Sequence, residues 1–402
     1  MRTGRAILMP MAATKPKIQV ASNESVRDIN RGIVLNLIRT RQPISRADLA
    51  RMSGMQRSTI SLIVEELVQE NWVIEGPTGR LPRGRRPTFL RLNDDRLIIG
   101  VDVRPIHTTI ALADVNGRLS SQKVIATPSD PKIALKLVIR EIQAMMAASD
   151  NKKIEGIGIS LPGRVDQDTG HLVFAPNLQW RDVDIAKPIA EATGLEVEVE
   201  NAANACVLAA AWFDRLESHT NIVVVTISEG IGTGVWVNGQ LVRGLRGMAG
   251  EFGHVPLDPA GPQCACGSRG CWEVFASNRA GLRYYHESSA PTDGLTFLDL
   301  LSLADQGDTK AVQALDKMAL YLGRGMRMIV AGLAPEQIMV IGDLTRSWQR
   351  FGPVIEAEVK AQALTGGAVP LVVPVHEFGM ARLRGTFALV LQKHFSSARE
   401  AA

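Results

Sequence analysis

The sequence predicts two units in series. A small, mainly helical winged helix-turn-helix is expected over residues 23–95, and a larger α/β body of two similar halves over residues 96–402. Three observations carry this. Apolar residues recur at helical spacing between positions 25 and 68, then give way to two short strands around a Gly/Pro turn. From Leu97 strands and helices alternate, with a second strand-rich start at Asn221. Charge is split in the same place. Residues 1–96 hold 17 Lys and Arg against 9 Asp and Glu, a net of +8, and the remainder holds 28 against 32, a net of −4. A basic unit on a mildly acidic body is the balance expected of a module that meets a polyanion.

The elements follow in order. Residues 1–22 show no periodicity and are expected to be mobile. Ile29, Ile33, Val34, Leu37 and Ile38 fall on one helical face, and Pro43 ends that helix. Ser45 with Asp48 three residues on is a helix start, a hydroxyl cap followed by an acid. The second helix runs to Met52, Gly54 makes the turn, and a third helix spans residues 57–68. Two short helices around a glycine turn are the helix-turn-helix pattern. The third helix opens on Gln56, Arg57, Ser58, Thr59 and Ser61, hydrogen-bonding side chains suited to base edges in a major groove. Ile60, Ile63, Val64 and Leu67 would face inward.

Residues 71–75 and 87–92 read as the strands of a wing. Its tip, 80–87, holds Arg83, Arg85 and Arg86. Arginines on such a loop suit a narrow minor groove, although a solvated basic turn has the same composition. The expected partner is operator DNA.

In the body, strands are expected at 97–103, 108–114, 121–125, 154–160, 196–199 and 221–227. Helices are expected at 132–148, 185–193 and 203–213. A glycine-rich turn follows at 230–234. The chain is 46% hydrophobic and 21% charged, an ordinary globular composition. No apolar run approaches the roughly 18 residues of a membrane span. The N-terminal apolar run, about five residues, is too short for a secretory signal. A cytoplasmic location is expected.

Three of the four cysteines, Cys264, Cys266 and Cys271, follow His254 closely. One imidazole and three thiolates make a closed tetrahedral set for Zn²⁺, the usual form of a structural site. A disulfide would need an oxidising compartment, so clustered Cys with His reads as a metal site. The same segment holds Glu251 and Glu273, and a metal would brace the loop that carries them. Cys206 lies in an apolar run and is given a packing role alone.

These motifs resemble those of the ROK family, which joins repressors, uncharacterised reading frames and sugar kinases. Cys264-Ala-Cys266-Gly-Ser-Arg-Gly-Cys271-Trp-Glu273 is similar to the family's zinc signature, and Gly250-Glu-Phe-Gly-His254 to the motif before it. The resemblance covers residues 97–395, and the helix-turn-helix ahead of it matches the sugar-responsive repressor branch. It implies an actin-like, hexokinase-like body of two α/β lobes with a sugar cleft between them. It also implies that Asn177, Asn201, Glu251, His254 and Glu273 contact sugar hydroxyls, with His254 holding zinc through its other ring nitrogen. The alternative is that Glu251 and Glu273 only orient the zinc ligands.

The chain departs from the family's kinases in three places. Their phosphate hairpin reads Asp-x-Gly-Gly-Thr, whereas this chain has Asp102-Val-Arg-Pro-Ile-His-Thr108. Proline removes an amide donor, and an arginine side chain obstructs approach to the backbone. Their Glu-Asn-Asp-Ala-Asn motif, whose Asp is the general base, becomes Glu200-Asn201-Ala202-Ala203-Asn204. The longer glycine run near the adenine is reduced to Ile341-Gly342-Asp343-Leu344. The expectation is therefore a regulator with no catalytic residue, most simply a repressor. Its effector would be a sugar or sugar derivative, and it would act as a homodimer or dimer of dimers. An active sugar kinase with an appended DNA-binding unit, or a regulator controlled by a protein partner, are the alternatives.

Overall fold

A computed structural model describes residues 23–78, 88–150, 152–213, 220–289, 294–361, 369–375 and 378–395. The expected wing tip, with Arg83, Arg85 and Arg86, lies outside the described residues, as does the segment 1–22.

The N-terminal unit comprises α1 (Asn23–Arg41), β1 (Ile44–Ser45), α2 (Arg46–Ser53), α3 (Arg57–Gln69), β2 (Val73–Thr78) and β3 (Thr88–Leu92). Ser45 caps α2, its Oγ accepting from the Asp48 amide at 3.2 Å and donating to Asp48 Oδ2 at 2.7 Å. Gly54 ends α2 at φ 74°, left-handed backbone that favours glycine. The strands form an antiparallel sheet in the order β1-β3-β2, and the two-residue β1 had no signal in the sequence. The core draws on Val34, Leu35, Ile38, Leu49, Ile60, Ile63, Val64, Leu67 and Leu90. Ile29 and Ile33, which share the helical face of Val34 and Ile38, are 40% and 39% exposed. The first turns of α1 are tied to α3 by the Arg27–Glu66 and Arg31–Glu70 ion pairs rather than by apolar packing.

The body repeats one plan. Its first half holds β4 (Leu97–Val103), β5 (His107–Asp114), β6 (Leu119–Ala126), α4 (Pro131–Ala147), β7 (Ile154–Leu161), β8 (Arg164–Asp166), β9 (His171–Ala175), β10 (Trp180–Asp184), α5 (Ala186–Thr193), β11 (Val197–Asn201) and α6 (Ala202–Phe213). The second holds β12 (Ile222–Ile227), β13 (Ile231–Val237), β14 (Gln240–Leu241), α7 (Trp272–Ala276), α8 (Asn278–Ser288), α9 (Phe297–Asp305), α10 (Thr309–Leu333), β15 (Gln337–Ile341), α11 (Trp348–Lys360), β16 (Leu371–Pro374) and α12 (Phe378–Phe395).

The five-stranded sheets run β11-β7-β4-β5-β6 and β14-β13-β12-β15-β16. In each, the first three strands form an antiparallel meander, and the fourth and fifth add parallel on the other side of the first. The topology is the same in both, as expected of two similar halves.

Two helices cross over between the lobes. α6 leaves the first lobe and packs on the second lobe's sheet, where a Cβ at Gly234 would meet Ala203 O at 2.6 Å. α12 leaves the second lobe and packs on the first lobe's sheet, where a Cβ at Gly158 would meet Thr386 O at 2.0 Å. Glycine at these sheet positions lets each helix approach closely.

α12 also joins the body to the N-terminal unit. Leu383, Phe387, Val390, Leu391 and Phe395 share one core with the N-terminal residues and with Ile98, Ala111 and Ala113 of the first lobe. Trp72 sits at the junction, with the Phe395 ring edge-on at 5.8 Å, His394 at 4.8 Å and the Arg96 guanidinium 3.9 Å over its face. Arg96 in turn forms a buried 2.7 Å ion pair with Glu155 of β7. Burial pushes the His394 imidazole down to about pKa 4, so the ring against Trp72 is neutral at pH 7. Among the described residues no helix is long and apolar enough to cross a membrane.

Candidate functional site

The metal-ligand candidates converge. The ligand atoms of His254, Cys264, Cys266 and Cys271 all lie within 4.8 Å of one another. His254 Nδ1 is 3.6 Å from Cys264 Sγ, and Cys266 Sγ is 3.7 Å from Cys271 Sγ. A tetrahedral ion with Zn–S near 2.3 Å and Zn–N near 2.0 Å has S–S and S–N edges of about 3.8 and 3.5 Å. The donor set therefore fits zinc in kind, and these two edges fit its tetrahedral spacing. Burial raises the Cys264 and Cys271 thiol pKa values, which disfavours bare thiolates there, and a divalent cation reverses that balance. Cys206 is apart from the cluster, buried against α12, with its thiol pushed up to about 12 by burial.

A cleft of about 630 Å³ adjoins the cluster, within the size range of small-molecule sites. Asn177, Asn201, Glu251, His254 and Glu273 all line it. Asn177 comes from the turn between β9 and β10, and Asn201 from the end of β11. Glu251 and His254 come from the turn after β14, and Glu273 from α7.

Asn201, Glu273, His254 and Glu251 have local partners. Asn201 donates Nδ2 to Gly163 O at 2.6 Å and accepts from the Ala203 amide at 2.8 Å. Glu273 accepts from the Ile231 amide at 3.1 Å and lies 3.7 Å from Cys264 Sγ. A Cβ at Gly230 would stand 2.2 Å from Glu273 Oε2, so a larger residue there would push that carboxylate from its place. His254 turns Nε2 toward Glu251 Oε2 at 3.8 Å, leaving Nδ1 to the cysteines. Desolvation raises the Glu251 pKa, opposed by the charges of His254 and Arg164. The set combines carboxylates, amides and an imidazole, groups that pair with vicinal hydroxyls. Glu273 touches both the thiol cluster and the cleft, so orienting the ligands and meeting a ligand hydroxyl are compatible roles.

Beneath Asn201, Glu200 is fully buried and accepts from Gln167 Nε2 at 2.6 Å, the Asn201 amide at 2.9 Å, Asn204 Nδ2 at 3.0 Å and Arg243 Nε at 3.0 Å. Arg243 belongs to the second lobe, on the segment leading to Glu251. The sequence reading missed this bond between lobes.

Residues 98–393 match the model of the ROK family. The chain belongs to the ROK family. It is 34% identical to the xylose repressor of Bacillus subtilis over 349 residues, 86% of this chain and 90% of that protein. Over 92% of its length it superposes on a solved ROK family transcriptional regulator, a homologue of the E. coli MLC protein, with a TM-score of 0.80, 26% identity and 99% of that chain covered. A ROK family glucokinase from Streptomyces griseus, solved with glucose and AMPPNP, matches 74% of this chain and 99% of its own, with a TM-score of 0.66 and 30% identity. The expected body, an actin-like ROK fold of two α/β lobes, is thus shown.

Within this ROK body, the hairpin after β4 is closed on itself. The Arg104 amide is spent on His107 O at 3.0 Å, and Pro105 has none to offer. Asp102, almost fully buried, is clamped by Arg104 Nε at 2.7 Å and by Arg382 Nε of α12 at 2.9 Å. Arg104 Nη2 also donates to Gly379 O at 3.3 Å. Both arginines and Ala202 line the cleft. No sequence signal pointed to Arg382, which lies far along the chain.

At the other end of the molecule, α3 presents Gln56, Arg57 and Ser58 to solvent and Thr59 and Ser61 half-buried, over a buried face of Ile60, Ile63, Val64 and Leu67. Gln56 makes no side-chain cap. Arg57 has no ion-pair partner among the described residues.

Proposed function

We propose that this ROK protein is a sugar-responsive DNA-binding regulator, most simply a repressor, and not a kinase. The observation that carries the reading is one cleft with two unlike ends. One end holds a complete set of hydroxyl-pairing groups. The other is filled by the Arg104–Asp102–Arg382 cluster and has Ala202 where the family's kinases carry a base. Positioned general bases contribute about 10²–10⁴-fold to such reactions. The likeness to the xylose repressor and to the MLC-like regulator supports the same reading.

In this account Asn177, Asn201, Glu251, His254 and Glu273 bind the sugar. Zinc, when bound, supplies a fixed tetrahedral anchor for the His254 loop. The N-terminal unit is a winged helix-turn-helix whose α3 enters the major groove, Arg83, Arg85 and Arg86 also serve DNA binding, and the protein works in the cytoplasm where the DNA lies. Sugar binding draws the lobes together around Glu200–Arg243. α12 then carries the change from Arg382 to His394 and Phe395, ~18 Å along a helix that rises about 1.5 Å per residue. The shift biases the N-terminal units of a homodimer, or dimer of dimers, toward or away from operator spacing.

An ATP-coupled assay over hexoses, pentoses and amino sugars tests the non-catalytic claim. No turnover above background is expected, and none for Ala202→Asp, because Pro105 and Arg104 still close the phosphate hairpin. Robust turnover by the natural chain overturns the reading. Thermal-shift titration over the same panel separates it from control by a protein partner, since stabilisation by at least one sugar is expected.

For the DNA face, Arg57→Ala and Arg85→Ala should each weaken operator binding by about 1–3 kcal/mol and flatten its salt dependence. Operator affinity unchanged in both contradicts this placement of α3 and the wing.

A further inference from the structure

The small sheet β10-β9-β8 places a row of three side chains on the cleft. Arg164 of β8 pairs in register with Phe174 of β9, and Phe174 pairs with Arg181 of β10. Residues directly opposite in antiparallel strands project from the same face. Here that face is the cleft, which all three line. Both arginines are exposed, so the row forms part of the rim. It stands beside the hydroxyl-pairing residues. Gly163, next to Arg164, holds Asn201, the Arg164 charge acts on Glu251, and Asn177 lies in the β9–β10 turn.

These two arginines differ from the others around the cleft. Arg104 and Arg382 are paired with Asp102, and Arg243 with Glu200. Arg181 lies 4.3 Å over the Phe174 ring, and Arg164 Nη1 reaches only Met248 Sδ at 3.4 Å. Among the described residues neither has a carboxylate within ion-pair reach. Strands β8 and β10 flank β9, so the two backbones stand about 10 Å apart, and long side chains from both can converge on one group between them. Two unpaired guanidiniums flanking an aromatic plate suit an oxyanion, since each fork matches a carboxylate or phosphate in two-point geometry.

The cleft exceeds what one pyranose ring fills. Its nucleotide end is occupied by the Asp102 cluster, which leaves the rim as the direction in which a ligand extends. We infer that the effector is a saccharide bearing an acidic group, a carboxylate or a phosphate. The acidic group is held by Arg164 and Arg181, and the apolar face of the ligand lies on Phe174. This rests on the sugar reading above and narrows its ligand class.

The test is titration calorimetry with the full chain in matched sets: a neutral hexose, its uronic acid and its 6-phosphate, across glucose, galactose, mannose and N-acetylglucosamine. In at least one set an acidic member should bind about tenfold or more tighter than its neutral parent, with the preference shrinking as salt rises. The uronate and phosphate arms tell the two anions apart. In the Arg164→Gln/Arg181→Gln chain the acidic member should fall to the level of its parent, while the melting temperature without ligand stays unchanged. Neutral sugars binding as well as their acidic forms, or a preference that survives in the double variant, overturns the inference and leaves the sugar reading standing. Binding by no member of any set overturns the inference, and the sugar reading falls with it when the thermal-shift panel, pentoses included, is silent too.

Discussion

Cys266→Ser should strip the metal and lower the melting temperature by many degrees. The four ligand atoms lie within 4.8 Å of one another, close enough to share one ion, and three remaining ligands with a weak hydroxyl cannot hold zinc as tightly. Apparent zinc binding energies in small zinc domains run to about 10–16 kcal/mol, and where the ion ties a segment to a fold, that energy is folding energy. Here the loss falls on the segment from Glu251 to Glu273, so the sugar site should fail with it. Metal analysis should drop from about one zinc per chain toward zero. Cys206→Ala is the matched control, since its thiol packs away from the cluster, and it should keep its zinc. Stoichiometric zinc in Cys266→Ser would refute the ligand set.

Trp72→Ala should have the second largest effect, because it acts on two properties. Trp72 is 4% exposed and is packed by Arg96, His394 and Phe395. Deleting a buried tryptophan costs about 3–5 kcal/mol, a large fraction of a typical domain's stability. The N-terminal unit meets the end of α12 through this ring. The variant should therefore still bind sugar in its body, yet its DNA affinity should respond to sugar less than in the natural chain. Sugar titrations followed by calorimetry and by DNA anisotropy separate the two effects. A full DNA response in a destabilised Trp72→Ala chain would place the coupling elsewhere.

What the sequence disclosed was local. Ser45 with Asp48, Gly54 and the His254–Cys271 cluster are encoded within a few residues each, and the structure has them as a helix cap, a turn and a group of side chains close enough to hold a metal. The loss of glycines at Arg104 and Pro105 was likewise legible, because a proline's missing amide is known without coordinates. What escaped notice depends on distant residues. Arg382 donates to Val103 O from 279 positions away, and only the crossover of α12 brings it there. The small sheet of β8, β9 and β10 was missed because its strands are three to five residues long and partly polar. With it went the row of Arg164, Phe174 and Arg181, which exists only through register. Ile29 and Ile33 shared a helical face with buried residues, but periodicity does not say how far a neighbour extends along that face.

The central claim is that one chain binds both a sugar and DNA, and that each changes the other's affinity. The direct measurement is fluorescence anisotropy of a labelled duplex, selected from a randomised library by the full-length chain. It is titrated with and without a saturating sugar that raises the melting temperature. The account predicts a change in DNA affinity of roughly 5- to 150-fold, the usual range for coupled sites. A sugar that binds and leaves DNA affinity unmoved would contradict it.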